Sequence, residues 1–407
     1  MTLTRRAMLT TAAAAVPLLP PRARADAPVL RLGVLVDMSG PYRDDTGMTS
    51  VACVRQAVQE FTAGRGLRVE VLAADHQNKP DIGVAIARQW FDRDGVDAVV
   101  DVPTSSVALA VNTVCRDKNK VMLNSGAATT DLTGAQCSPN TVHWTYDTWM
   151  LAKSTGGAMV KQGGDSWFFI TADYVFGKQL QRDTGRFVEQ AGGRVLGSAI
   201  YPFPGTTDFS SFLIQAQASG AKVLGLANSG ADTLNCIKQA REFGLMQKMR
   251  VAAMLMYNSN VHALGLETAQ GLLLTESFYW NLNDRTRAFM DRIRPKVANQ
   301  WPNMVQAGDY AVTLHYLKAV ADLGVAAAKA DGAAAVARMK AMPTDDDCFG
   351  QGKIREDGRT LHPSYLFQAK SPAESSGPWD GLKLVATTPA DEAFRPMQDG
   401  GCKLVKG

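Results

Sequence analysis

D-V-P-T-S-S-V-A-L-A-V, residues 101–111, and K-V-M-L-N-S-G-A-A-T-T-D-L-T-G, residues 120–134, decide how this chain is read. A short apolar run, 98–100, precedes the first stretch, and another, 121–123, lies inside the second. Each run gives way to small hydroxyl residues: Thr104, Ser105 and Ser106 in one case, Ser125, Thr129 and Thr130 in the other. Beyond Ser106 the apolar residues Val107, Ala110, Val111 and Val114 recur at helical spacing. A strand that ends in Ser or Thr and opens a helix leaves backbone N–H groups free where the helix carries partial positive charge. Two such ends side by side make a cradle for an anion, most simply a carboxylate. Ser and Thr are also ordinary helix caps, so the surrounding pattern must decide between cradle and cap.

Working outward, strands are expected over 30–36, 68–74, 97–100 and 121–123, with helices over 47–61 and 81–92 and after Ser106. This alternation implies a parallel sheet with helices on both faces. Ligands of such sheets bind outside the carboxyl ends of the strands, where strand order reverses. Both hydroxyl clusters fall at such ends, as does the stretch 39–42. The pattern breaks over 132–140, and V-H-W-T-Y, 142–146, is a short extended run. A second series follows: helix 148–160, strand 167–171, helix 177–190, strand 194–200, helix 209–218, strand 222–226, helix 231–243 and strand 251–256. Another strand, 271–278, and helices over 284–297 and 306–327 come next, then strand-like runs 365–369 and 382–386. The fold class is therefore α/β, with two lobes joined by short extended segments and a cleft between facing strand ends.

The formal charge of +4 comes from the first residues, where Arg5, Arg6, Arg22 and Arg24 precede any acid. Residues 1–25 have the form of an export signal. A twin-arginine-like T-R-R-A-M-L at 4–9 leads into an apolar stretch, 12–19, and Ala23-Arg24-Ala25 supplies a small-x-small cleavage site. The rest is close to neutral, which gives no basic excess for nucleic acid or an anionic membrane surface. The roughly 380 residues that remain exceed one typical core. The six cysteines show no C-x-x-C pair and no metal-ligand spacing. Cys53, Cys115 and Cys236 fall within expected helices. Cys137, Cys348 and Cys402 fall in loops, so a disulfide formed in an oxidising compartment joins two of these three. G-x-S-x-G, H-E-x-x-H, the P-loop and G-x-G-x-x-G are all missing, so no familiar enzyme motif is present and no cofactor is implied.

Taken in order, L-R-L-G-V-L-V-D-M-S-G-P (30–41), A-D-H-Q-N-K-P-D (74–81), V-P-T-S-S (102–106), N-S-G-A-A-T (124–129), V-H-W-T-Y-D (142–147), F-F-I-T-A-D-Y-V-F-G (168–177), I-K-Q-A-R-E-F-G-L (237–245) and Q-G-L-L-L-T-E-S-F-Y-W (270–280) resemble a type I periplasmic solute-binding protein. The resemblance is to the group filed with branched-chain amino acid ABC transporters, and within it to the branch linked to aromatic acids. It implies two Rossmann-like lobes, 26–143 plus 280–352 and 144–279 plus 353–407. Three crossovers near 142–146, 277–280 and 351–354 would join them into a hinge that closes on ligand. It further implies a monomeric periplasmic protein that presents a small carboxylate to an inner-membrane permease and its ATPase. A ligand sensor for a membrane receptor would share the same fold.

Carried over residue by residue, Ser106 matches the serine that holds the ligand carboxylate, with Ser105 beside it. Ala127 and Thr129 match positions that offer a backbone N–H and a hydroxyl to the same group. Phe176 and Tyr174 fall in a loop that lines the opposite lobe, and Asn228 ends the next strand, before the small Ser229 where relatives have an aromatic. Amino-acid binders place a glutamate on the second lobe for the ligand ammonium; the matching residue here is Met254. A buried ammonium without a partner costs several kcal/mol, so this departure points away from an α-amino acid, although Asp147, Asp173 or Asp232 would be stand-ins. With Tyr42, Trp144 and Tyr279 as further walls, the expected ligand is an aromatic carboxylate of the benzoate or phenylpropenoate kind. A branched-chain or other amino acid is the alternative.

Overall fold

A computed structural model describes residues 28–297 and 299–406; the expected signal, 1–25, lies outside the described residues. Five strands, Leu30–Val36 (β1), Val69–Asp75 (β2), Ala98–Asp101 (β3), Val121–Asn124 (β4) and Thr141–His143 (β5), form one parallel sheet in the order β2-β1-β3-β4-β5. β3 and β4 are four residues each and buried throughout, as strands covered on both faces must be. A second sheet contains Ser166–Ala172 (β6), Arg194–Tyr201 (β7), Val223–Ala227 (β8), Arg250–Ala253 (β9) and Leu273–Glu276 (β10). Three short strands, Thr344–Asp346 (β11), Gly350–Ile354 (β12) and Thr360–Leu361 (β13), make a small antiparallel sheet. Ser364–Ala369 (β14) and Leu382–Thr388 (β15) then extend the second sheet antiparallel, in the order β15-β14-β10-β9-β8-β6-β7.

Strand order reverses at one point in each parallel run. In the first sheet β1 lies between β2 and β3, and in the second β6 lies between β7 and β8. The connections that leave β1, β3, β6 and β8 at their carboxyl ends therefore diverge and open a crevice. These are the four loops from which the site is built.

Several boundaries differ from the sequence reading. The expected strand 251–256 ends at Ala253, so 254–257 is loop. The expected helix 306–327 is two helices, Met304–Leu323 and Val325–Ala330, broken at Gly324, whose φ of +83° an interior helical residue cannot adopt. A helix not foreseen, Gly332–Ala341, starts where the Asp331 side chain accepts from the Ala334 N–H, an ordinary N-cap. The third crossover falls later than 351–354. After β12 the chain turns back to form β13, and Arg359 bridges to His143 at the edge of the first sheet, so the chain leaves the first lobe only at about 362.

Cys137 and Cys402 form a disulfide, and Cys348 is buried and free. The bond, with the Arg395 Nη2 donor to the Thr130 carbonyl (3.0 Å), ties the end of the chain to the first lobe rather than to the second. Trp144 is fully buried in the core of the crossover, beside His315 (5.7 Å between ring centres) and edge-on to Phe349 (6.4 Å). Its ring fills packing space, so it is not a ligand wall.

Candidate functional site

The four divergent loops and the ends of β4 and β9 close around a narrow cavity between the sheets, about 20 Å³, room for little more than one water. From the first lobe come Tyr42, Asp45 and Thr46 after β1, Pro103 after β3, and Gly126 and Ala128 after β4. From the second come Tyr174 and Phe176 after β6, Ser229 after β8, and Leu255 and Tyr257 after β9; Tyr146 enters from the first crossover.

The lobes are drawn together around this space. The Tyr42 and Tyr174 hydroxyls share a hydrogen bond of 2.5 Å, and the Phe203 ring stacks on both of theirs. Asn260 Nδ2 donates to Asp45 Oδ1 at 2.9 Å, Gln179 Nε2 donates to Asp131 Oδ2 at 2.8 Å, and the Ala231 N–H donates to the Pro41 carbonyl at 3.0 Å. Gly230 permits the last contact: its φ is +63°, and a Cβ there would lie 2.3 Å from the Pro41 oxygen. At the hinge, Glu276 accepts from the first N–H of two helices, Asn258–Leu264 of the second lobe (2.6 Å) and Met304–Leu323 of the first (3.2 Å). Burial pushes the Glu276 carboxyl up to about 8.

Of the expected residues, Tyr42, Tyr174 and Phe176 line the space. Ser105, Ser106, Ala127 and Thr129 stand next to the lining residues Pro103, Gly126 and Ala128 rather than among them. Ser106 lies in the first turn of the helix Ser105–Asp117, where N–H groups have no partner within the helix. The Gly126, Ala127 and Ala128 N–H groups donate to no backbone carbonyl among the described residues. The two loops touch: a Cβ on Gly126 would lie 2.2 Å from Asp101 Oδ1 and 2.7 Å from Pro103 Cα. Asp101 and Val102 both take positive φ there, +76° and +58°, a strained turn for non-glycine residues beside a site. The second cluster does not open an α-helix as expected. Thr129 instead caps the 3₁₀ turn Thr130–Thr133, accepting from the Asp131 N–H at 3.3 Å, so its hydroxyl serves an ordinary cap.

Three expected walls on the second lobe point elsewhere. Met254 is buried in the core with its sulfur accepting from Thr184 Oγ1 (2.9 Å). Asn228 Oδ1 accepts from Thr233 Oγ1 (2.7 Å), which fastens the start of the next helix. Tyr279 packs on Phe367, and its hydroxyl donates to the Trp379 carbonyl.

Among the lining residues not expected from the sequence are Asp45, Tyr146, Ser229, Leu255 and Tyr257. Tyr146 donates to the Gly126 carbonyl at 2.5 Å and shares a hydrogen bond with the Tyr257 hydroxyl at 2.9 Å. Burial raises the Asp45 carboxyl to about 7, against the Asn260 hydrogen bond that lowers it. Asp45 Oδ2 and Ser229 Oγ are buried with no partner among the described residues. For Asp45 the signal was its place nine residues after the end of β1, beside the strand-order reversal.

A family model described as periplasmic binding protein matches residues 29–377. A periplasmic binding protein from Burkholderia mallei is 46% identical in its crystal structure, with 94% of this chain and 100% of that one covered at a TM-score of 0.89. A branched-chain amino acid ABC transporter periplasmic ligand-binding protein from Burkholderia xenovorans LB400 is 38% identical over 92% of this chain and 99% of its own, TM-score 0.80. A solute-binding protein of an ABC transporter from R. palustris, solved in complex with benzoate, shares the fold at 20% identity, with 92% and 100% covered and a TM-score of 0.80.

Proposed function

This chain belongs to the periplasmic binding protein family, and from that premise we propose that it binds a small aromatic carboxylate between its lobes and presents it to a membrane permease driven by an ATPase. The family is that of ABC transporter solute-binding proteins, which hold small molecules and are not enzymes, and it places them in the periplasm. No helix among the described residues is long and apolar enough to cross a membrane. Export through residues 1–25 and a monomeric state belong to the same proposal.

The observation that carries the reading is the wall of rings. Tyr42, Tyr146, Tyr174, Phe176 and Tyr257 surround the space, and the four tyrosine hydroxyls are already engaged with one another or with the Gly126 carbonyl. Such walls offer mainly ring faces and edges, which suits a flat ring of the ligand. The carboxylate would dock on the N–H groups at the ends of β3 and β4, with Ser105, Ser106, Ala127 and Thr129 as the residues that present them. The benzoate held by the R. palustris protein is in keeping with this ligand class.

An amino acid is the second reading. It draws on the free oxygen of Asp45, which would pair with an ammonium, and on the description of the B. xenovorans relative. A thermal-shift screen separates the two, because a ligand that binds only the folded chain raises its apparent stability by mass action. Benzoates and phenylpropenoates should give the large shifts. Large shifts from leucine, isoleucine or valine alone would overturn the aromatic reading.

A further inference from the structure

Behind the ends of β3 and β4 lies a pair of acids that the ligand reading leaves unused. Asp101, the last residue of β3, and Asp309, in the second turn of the helix Met304–Leu323, are fully buried. The two carboxyls face one another and share Ser50 as a neighbour. Of their oxygens only Asp101 Oδ2 has a donor, Ser50 Oγ at 2.9 Å; Asp101 Oδ1 and both oxygens of Asp309 have none among the described residues, and no basic side chain pairs with either acid there. Two hydroxyls against the same helix, Ser125 Oγ and Thr145 Oγ1, also lack partners among the described residues: a Cβ on Gly308 would lie 3.2 Å from the first and 2.3 Å from the second. The pair adjoins the cradle, since Asp101 Oδ1 lies 2.2 Å from where a Cβ would sit on Gly126. We propose that Asp101 and Asp309 share a proton behind the carboxylate cradle, and that this proton must be in place for the cradle to hold an anion tightly. This rests on the cradle of the proposed function and not on which acid fills it.

Two ionised carboxylates side by side in a dry interior repel, and neither can donate to the other; one proton removes a charge and supplies a donor at once. Burial raises both carboxyls, and the charge of Asp101 raises Asp309 further, against hydrogen bonds from Ser50 that lower them. A metal cation would also offset the charge, but it needs several oxygens at coordinating distance and room among them. Neither Gly126 nor Gly308 has room even for a methyl group against this cluster, so a proton is the counter-charge that fits. The titratable groups that face the pair are Cys53 of the helix Gly47–Thr62 and Tyr146 of the first crossover, and burial raises both, which keeps them neutral; Asp45, after β1, faces Tyr146. When the shared proton is lost, a second negative charge appears just behind the N–H groups that receive the ligand carboxylate, so affinity falls as pH rises. By reciprocity a docked anion holds the proton more tightly, and binding takes up protons wherever the free pair is partly ionised.

The test is titration calorimetry of the mature chain with benzoate and with leucine from about pH 6 to about pH 9, in buffers of different ionisation enthalpy, which counts the protons taken up. Affinity for whichever acid binds should fall roughly tenfold over that range, with net proton uptake on binding. Asp309→Asn places a neutral donor where the shared proton lies and should abolish both the slope and the uptake. Asp45 lines the space and its own carboxyl is pushed up to about 7, so Asp45→Asn is measured in parallel, and there the slope should persist. A flat profile in the unaltered chain, a slope lost in Asp45→Asn but kept in Asp309→Asn, or binding that needs sodium or potassium would overturn the shared proton and leave the cradle standing. Infrared spectroscopy of the ligand-free chain at neutral pH should show a protonated-carboxyl band that Asp309→Asn diminishes; no such band in the unaltered chain would overturn the proposal whether or not the variant folds. Binding of neither acid at any pH, with the band present, would overturn the cradle itself and this inference with it.

Discussion

Gly230→Ala tests the closed arrangement of the lobes at one atom. Its φ of +63° charges any Cβ-bearing residue about 1–2 kcal/mol, whatever surrounds it. The second effect exists only when the lobes meet: the new Cβ would lie 2.3 Å from the Pro41 oxygen and 2.9 Å from Tyr42 Cδ1. Backbone cannot yield as a side-chain tip does, so the loops must part by several tenths of an ångström. The Ala231 N–H to Pro41 bond and the Tyr42–Tyr174 bond span that seam, and at about 1 kcal/mol each their loss takes roughly 2 kcal/mol from closure. If ligand binds the closed form, affinity should fall about 30-fold. Gly244→Ala is the control, since its φ is +64° with no atom within 4 Å of a Cβ. It should lower the melting temperature as much as the backbone cost requires and leave affinity alone. Titration calorimetry reads affinity, and small-angle scattering reads compaction on adding ligand. Gly230→Ala binding within twofold of the parent, with the same compaction, would refute the reasoning.

Glu276→Gln should change how stability depends on pH. Burial holds the folded carboxyl near 8 against 4.5 in the unfolded chain, so between these values the folded chain keeps a proton that the unfolded chain has lost. Stability must therefore fall as pH rises from about 5 to 8, by up to about 1.4 kcal/mol per unit for this group, and chemical denaturation of the variant should show a flatter slope. Met254→Glu should destabilise the fold by roughly 3 kcal/mol or more, because it buries a charge against Thr184 in the core; a stable variant that gained leucine binding would mean that Met254 faces the ligand after all. Cys402→Ser should cost about 2–5 kcal/mol of unfolding free energy, and a reductant should bring the parent chain down to the same value, since Cys137–Cys402 closes a loop of 265 residues.

The layout of the site was legible in the sequence to the extent that it depends on short-range pattern. Strand β1 was read to its last residue, and β3 and β4 to within one, because buried parallel strands are short apolar runs bounded by polar turns. Tyr42 follows such a strand within a few residues, whereas Phe176 and Tyr174 were placed by the family resemblance; all three line the space. The errors came where that rule fails. Met254 was placed in the site by matching it to the glutamate position of amino-acid binders, whereas pairing of β9 stops at Ala253 and the Met254 side chain turns into the core. Trp144 and Tyr146 have similar local surroundings in the sequence, yet only the packing of His315 and Phe349, far along the chain, decides that the first is core, while the second lines the space between the lobes. Asp45 is marked only by its place past the end of β1, and Ser229 only by its small size where relatives have an aromatic. Their meaning appears only when two loops from different lobes are brought within a few ångströms. Of the two readings of Thr129 the cap is the one observed: its hydroxyl caps a 3₁₀ turn, while the neighbouring N–H groups have no backbone partner among the described residues.

The most direct test of the central claim is a crystal structure of the mature chain grown with 4-hydroxybenzoate. The account predicts one ring packed among Tyr42, Tyr146, Tyr174, Phe176 and Tyr257, with its carboxylate on the N–H groups at the ends of β3 and β4. Density for the acid outside the interlobe space, or a carboxylate turned away from those N–H groups, would contradict it.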